Sequence, residues 1–172
     1  MEAVHAELGR YTYSDQESYT DVTGIPLIIK RESPPSPIDN IPTGKAEAVI
    51  SFYTGWIQSY CAPGTDSDTF GESVTSDVAN LMNLLERITL GKFVAESKFQ
   101  KEEDNFRKTG GDTDQIRTMI THPEREEQVL IMAGKLAEHY EFDVSEARKI
   151  FLWLIKTTVD VQVKYILHRM EQ

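Results

Sequence analysis

Apolar residues return every three or four positions from Ser73 to the C-terminus, a period of no use to a strand, whose faces alternate at every residue. Val74, Val78, Leu81, Leu84, Leu85 and Ile88 make the first stripe, which predicts one long helix running to about Phe106. The stretch "RKTGGDTD" interrupts it. A second helix is expected from around His122-Pro123 to about Tyr140: proline suits a first turn, and Glu124, Glu126 and Glu127 complement the positive end of the helix dipole. The third is "DVSEARKIFLWLIKTTVDVQVKYILHRM", where Asp143 caps and Glu146 completes a capping box. Its stripe is Ala147, Ile150, Phe151, Leu154, Ile155, Thr158, Val161 and Tyr165. The expected fold is all-α, with a long, a medium and a long helix. Helices so unequal close on one another poorly, and one that outruns its partners tends to pair with a second copy, so an intertwined homodimer is expected.

Residues 1 to about 45 carry no sustained period. Tyr11, Tyr13 and Tyr19 are scattered among polar residues, "GIPLIIK" at 24–30 reads as one short strand, and "ESPPSPIDNIP" at 32–42 is a proline-rich connector. This part is expected to be a loosely packed arm. A short helix follows at 45–60, "KAEAVISFYTGWIQSY", and then a loop, "CAPGTDSDTFGES". The expected division is an irregular N-terminal extension, 1–70, and a helical domain, 71–172.

Charge narrows the partners. Eighteen basic against 28 acidic residues leave a net charge of −10, which works against a nucleic acid or an anionic membrane, because phosphate affinity is supplied by clustered Lys and Arg. Cys61 has no second cysteine to pair with, and no run approaches the ~18 apolar residues of a membrane span. The opening "MEAVHAELGR" lacks a basic-then-apolar signal, so a cytoplasmic location is expected, a secreted form with its leader removed reading the same.

Within "LLERITLGKFVAESK", 84–98, Arg87 and Lys98 stand eleven residues apart, about three turns of an unbroken helix, and so share a side. Charges beside a core-forming stripe are costly unless paired. Gln162, one turn after Thr158 and in line with Ile155 and Phe151, brings an amide to the third stripe, and Arg125 opens the second helix where an anion is welcome. Singly, each reads as ordinary: cations are usually solvated or paired at i,i+4, with Glu86, Glu96, Glu102 and Glu103 at hand, and a buried Gln is usually tied to a backbone carbonyl. Jointly, Arg87, Lys98, Arg125 and Gln162 make a donor-only pocket between helices for a small anion.

These segments, "LLERITLGKFVAESKF", "HPEREEQVL", "LAEHYEFDVSEARKIFLWLI" and "TTVDVQVKYI", resemble the successive helices of the all-helical, AroQ-type chorismate mutases and the related isochorismate pyruvate lyases, over roughly 74–168. The resemblance implies conversion of chorismate to prephenate. Arg87 would grip a substrate carboxylate, Lys98 a carboxylate and the ether oxygen of the breaking C–O bond, and Gln162 that same oxygen. Arg125, Glu126 and Thr158 would bind substrate, Glu126 through the ring hydroxyl, which favours mutase over lyase. The partner is a small dianion, and neither a metal nor a cofactor is called for. Two alternatives stay open: a lyase or specialised enzyme acting on a similar dianion, and a non-catalytic helical interaction protein.

Two departures stand out. The family's further arginine, seventeen residues before Arg87, is here Phe70, placed in a loop, with Arg10, Lys30, Arg31 or Lys45 as replacements. The stretch "QKEEDNFRKTGGDTDQIRTMIT" lengthens the path from Lys98 to Arg125; its mixed charges favour a solvated loop, a lid over the pocket being the alternative.

Overall fold

A computed structural model describes residues 1–32, 35–62, 64 and 70–172, with only the backbone of Phe70. Seven α-helices are found among these residues: α1 (Glu2–Glu7), α2 (Ala46–Tyr60), α3 (Phe70–Thr89), α4 (Gly91–Lys108), α5 (Thr113–Ile120), α6 (Pro123–His139) and α7 (Val144–Met170). The all-α expectation holds, and the chain forms two compact units, Met1–Leu90 and Gly91–Gln172.

In the first unit the N-terminal residues are irregular but tied down, where a loose arm was expected. The Glu2 carboxylate accepts hydrogen bonds from the amides of Tyr19 and Thr20, the Thr20 hydroxyl and the Tyr11 phenol. Glu17 does the same for the amide and hydroxyl of Thr43, and the Tyr19 hydroxyl donates to the Leu81 carbonyl of α3 at 2.6 Å. Short polar side chains thus replace the missing regular structure as partners for the backbone. The strand expected at 24–30 is absent: Ile28 and Ile29 donate to the single carbonyl of Glu7, so no ladder forms. Tyr53 of α2 donates to Asp77 of α3, and Asn80 donates back to the Tyr53 hydroxyl.

The expected single long helix comes as two, α3 and α4, with a turn at Leu90. Phe70, placed in a loop by its neighbours, opens α3. In the second unit α7 is the central rod, packed against α4, α5 and α6. Its middle, Thr157 to Val163, is buried on almost every side, which is why an apolar stripe alone understates it. Asp143 caps α7 by accepting from the amides of Ser145 and Glu146, as expected.

The stretch read as a solvated loop, 100–121, is instead the last turns of α4, a turn and a further helix. Gly110 and Gly111, both at positive φ, end α4. Asp112 then caps α5 by accepting from the amides of Asp114 and Gln115, and Ile116 and Ile120 are buried, four residues apart on one face. Two isoleucines at helical spacing outweigh a polar surrounding once the cap is in place.

Candidate active site

Lys98 sits half-buried on α4, its Nζ donating to the Ile120 carbonyl at 2.6 Å. Burial, then the nearby Arg125 guanidinium, hold its pKa below the ordinary lysine value, while Glu102 and Glu126 pull the other way. Glu102, Arg125 and Glu126 therefore each lie within electrostatic reach of Lys98. Arg125 and Glu126 occupy the first turn of α6, the arginine exposed and the glutamate half-buried.

On α7, Thr158 and Gln162 are buried one turn apart. Gln162 is 7% exposed and its Oε1 has no hydrogen-bond partner among the described residues. Half a rotation about χ3 would offer the Nε2 donor at that position instead. An amide buried with one end unsatisfied costs about 1–3 kcal/mol, which a ligand can return.

Gly91, the first residue of α4, makes this arrangement possible. A Cβ there would lie 2.8 Å from Thr158 Cγ2, 3.4 Å from the Thr158 carbonyl oxygen and 3.7 Å from Gln162 Cγ. Thr158 is β-branched and stiff at χ1, so the added methyl would have to move a helix. Gly91→Ala is expected to cost about 1–3 kcal/mol by overpacking and to displace both Thr158 and Gln162. Denaturant melts together with ligand titration check it; unchanged behaviour in both would mean that α4 and α7 yield at no cost.

Arg87 is exposed on α3, in the first unit. The turn count that set it beside Lys98 assumed an unbroken helix, and the turn at Leu90 falls between them. Among the proposed replacement cations, Arg10 reaches α3: it donates to Gln16 at 2.7 Å and to Glu86, the residue before Arg87, at 3.0 Å. Arg31 donates to the Leu8 carbonyl. The Phe70 side chain lies outside the described residues.

A buried polar cluster on α4 escaped the sequence reading. Lys92 is 1% exposed and Glu96 5%. Glu96 accepts from the Tyr165 hydroxyl at 2.9 Å and from Gln100 Nε2 at 2.8 Å, and its Oε2 lies 3.1 Å from Arg169 Nε. The signal was present, since Lys92, Glu96, Phe99 and Phe106 follow the helical period; charge at the first two positions hid the stripe.

A family model described as chorismate mutase type II matches residues 75–163. The Saccharomyces cerevisiae chorismate mutase is 35% identical over 123 residues, 63% of this chain and 48% of its own length. The Schizosaccharomyces pombe one is 28% identical over 185 residues, 98% of this chain and 73% of its own. The chain spans about half the length of some of these curated relatives. Among solved structures, the Candida albicans chorismate mutase in complex with L-Trp superposes with a TM-score of 0.89 at 26% identity, over 99% of this chain and 71% of that one. The Zea mays chloroplast enzyme, at 22% identity and a TM-score of 0.79, covering 98% and 74%, shares the fold. With more than half of its residues matched by that family model, and with helices that superpose on those of solved members, this chain belongs to the type II, all-helical chorismate mutases.

Proposed function

We propose that this protein catalyses the Claisen rearrangement of chorismate to prephenate. The observation that carries the reading is the buried amide of Gln162, its Oε1 without a hydrogen-bond partner among the described residues, beside Thr158 and in the same compact unit as the half-buried ammonium of Lys98. The reaction needs no nucleophile and no proton shuttle. A dianion must be folded into a chair-like conformer, and negative charge grows on the ether oxygen as its C–O bond stretches. Fixed donors aimed at that oxygen are stronger in the transition state than in the ground state, and that difference is catalysis. Lys98 and Gln162 take this role, Arg87 and Arg125 bind carboxylates, and Thr158 and Glu126 hold the rest of the substrate, Glu126 through the ring hydroxyl. Glu126 favours the mutase over the pyruvate lyase.

The protein acts as a homodimer in the cytoplasm on this reading. Exposed apolar side chains along α6, Val129, Met132 and Leu136, support a second copy covering them. No helix among the described residues is long and apolar enough to cross a membrane, and one Zea mays relative is named cytosolic.

Incubating the purified protein with chorismate and following the loss of its ultraviolet absorbance tests the activity, beside isochorismate with pyruvate detection. Prephenate formation supports the mutase; pyruvate alone replaces it with the lyase, and no turnover of either removes both. The pH profile tests Lys98. Only its charged form stabilises the ether oxygen, so kcat/KM is expected to fall as pH rises, with a midpoint below the usual lysine value of 10.5. Arg125→Met, which removes a repelling charge, should move that midpoint upward. Stability runs the other way: the unfolded chain holds the Lys98 proton more tightly, so this group's contribution to stability rises with pH between the folded and unfolded pKa values.

A further inference from the structure

The segment that lengthens the path from Lys98 to Arg125 ends on the very carbonyl that Lys98 grips. Ile120 is the last residue of α5, and the final carbonyls of a helix have no partner inside it and carry the negative end of its dipole. The Lys98 ammonium, 2.6 Å from the Ile120 oxygen, caps that end with a charge-assisted bond. Several contacts keep this carbonyl still. Ile116 and Ile120 are buried, the Thr121 amide donates to the Arg117 carbonyl, and Arg117 pairs at 2.8 Å with Asp160 of α7, two residues before Gln162. So α5 is bonded both to Lys98 and to the helix that carries Gln162.

A lysine left to itself is a poor donor for a fixed point in space, having four rotatable bonds and, here, a repelling guanidinium at Arg125. An ammonium has three N–H groups, and one spent on Ile120 leaves two. We propose that the carbonyl end of α5 is a positioning element of the site: Ile120 C=O holds the Lys98 ammonium in place, so that its two remaining N–H groups meet the carboxylate and the ether oxygen of the substrate. The inference rests on the mutase reading above for the identity of that substrate, but the grip on Lys98 is a property of the protein alone.

Thr121→Pro tests it. Thr121 lies at φ −86, ψ 135, which proline accepts. The residue before a proline is driven out of the right-handed helical region, so Ile120 turns its carbonyl away. Thr121→Ala is the control, losing only the hydroxyl bond to the Arg117 carbonyl. The Thr121→Pro protein is expected to keep its helicity and lose kcat by roughly 10²-fold, the cost of misplacing one group by about 1 Å, with a much smaller change in KM; Thr121→Ala should match the wild type. The Lys98 ammonium signal in a proton–nitrogen spectrum, assigned by its absence from Lys98→Arg, should exchange slowly in the wild type and Thr121→Ala and vanish in Thr121→Pro. An unchanged kcat in a folded Thr121→Pro overturns the proposal, as does a wild-type Lys98 ammonium exchanging as fast as a free lysine, a measurement that decides the matter even where the proline variant does not fold. A wild type inactive on chorismate yet showing the slow signal would remove the mutase reading and leave the grip.

Discussion

Lys98→Ala is expected to lower kcat on chorismate by roughly 10²–10³-fold, the loss seen when one donor is taken from a site that stabilises a developing oxyanion. The ammonium is half inside the protein and within electrostatic reach of Arg125 and Glu126. In that setting its field is far less screened than at the surface. Its removal should also leave the Ile120 carbonyl without its donor, costing about 1–3 kcal/mol of stability. The two effects separate cleanly, because kcat is read on the folded fraction. Gln162→Ala is expected to lose less, since a neutral amide makes weaker bonds to a growing charge than an ammonium does. The double variant should fall short of the product of the single ones, as both groups act on one oxygen. Full turnover in Lys98→Ala would remove the donor-site mechanism and leave only the family's fold.

The second half of the chain was legible because its helices carry their own punctuation. Pro123 at a first turn, Asp143 with its bonds to the amides of Ser145 and Glu146, and an apolar period between them fix α6 and α7 within a residue or two. What pattern reading missed lay where partners distant in sequence decide. The break between α3 and α4 comes at Leu90, and the reason Gly91 follows it becomes visible only with Thr158 of α7 against it. Lys92 and Glu96 look like surface residues until Tyr165 supplies a hydrogen bond and Arg169 a counter-charge for the carboxylate. Within 100–121 the run of charge masked Ile116 and Ile120, the two residues that make α5 a helix of the core. The N-terminal residues have no period to read, because their order comes from carboxylates such as Glu2 and Glu17 gathering backbone amides. The proposed site divides in the same way: Lys98 and Gln162 were read from helical spacing and Arg125 from its place at a helix N-terminus, whereas the Ile120 carbonyl, being backbone, leaves no mark on the sequence.

Glu96→Ala is the variant expected to damage the second unit most. The carboxylate is 5% exposed and serves Tyr165, Gln100 and Arg169 at once. Without it, the Arg169 guanidinium, about a quarter exposed and also stacked 5.4 Å from the Phe99 ring centre, keeps its charge and loses this carboxylate. Breaking a buried pair from one end in this way costs about 3–5 kcal/mol. Glu96→Gln keeps the shape and one acceptor oxygen for the Tyr165 hydroxyl while losing the charge and the second oxygen, which accepts from Gln100, so a smaller penalty of about 1–2 kcal/mol is expected. The kinetics should follow. Glu96 lies two residues before Lys98, and Tyr165 three after Gln162, so this one contact fixes how α4 sits along α7. A variant that lets the rods slide should lose kcat even where it is folded, because donors must be in place before the C–O bond stretches. Urea melts give the stability order wild type, Glu96→Gln, Glu96→Ala, and turnover at low denaturant gives the same order. A Glu96→Ala protein as stable as the wild type would show that Arg169 and Tyr165 find other partners, and the tie between the two helices would then have to be sought in their apolar contacts.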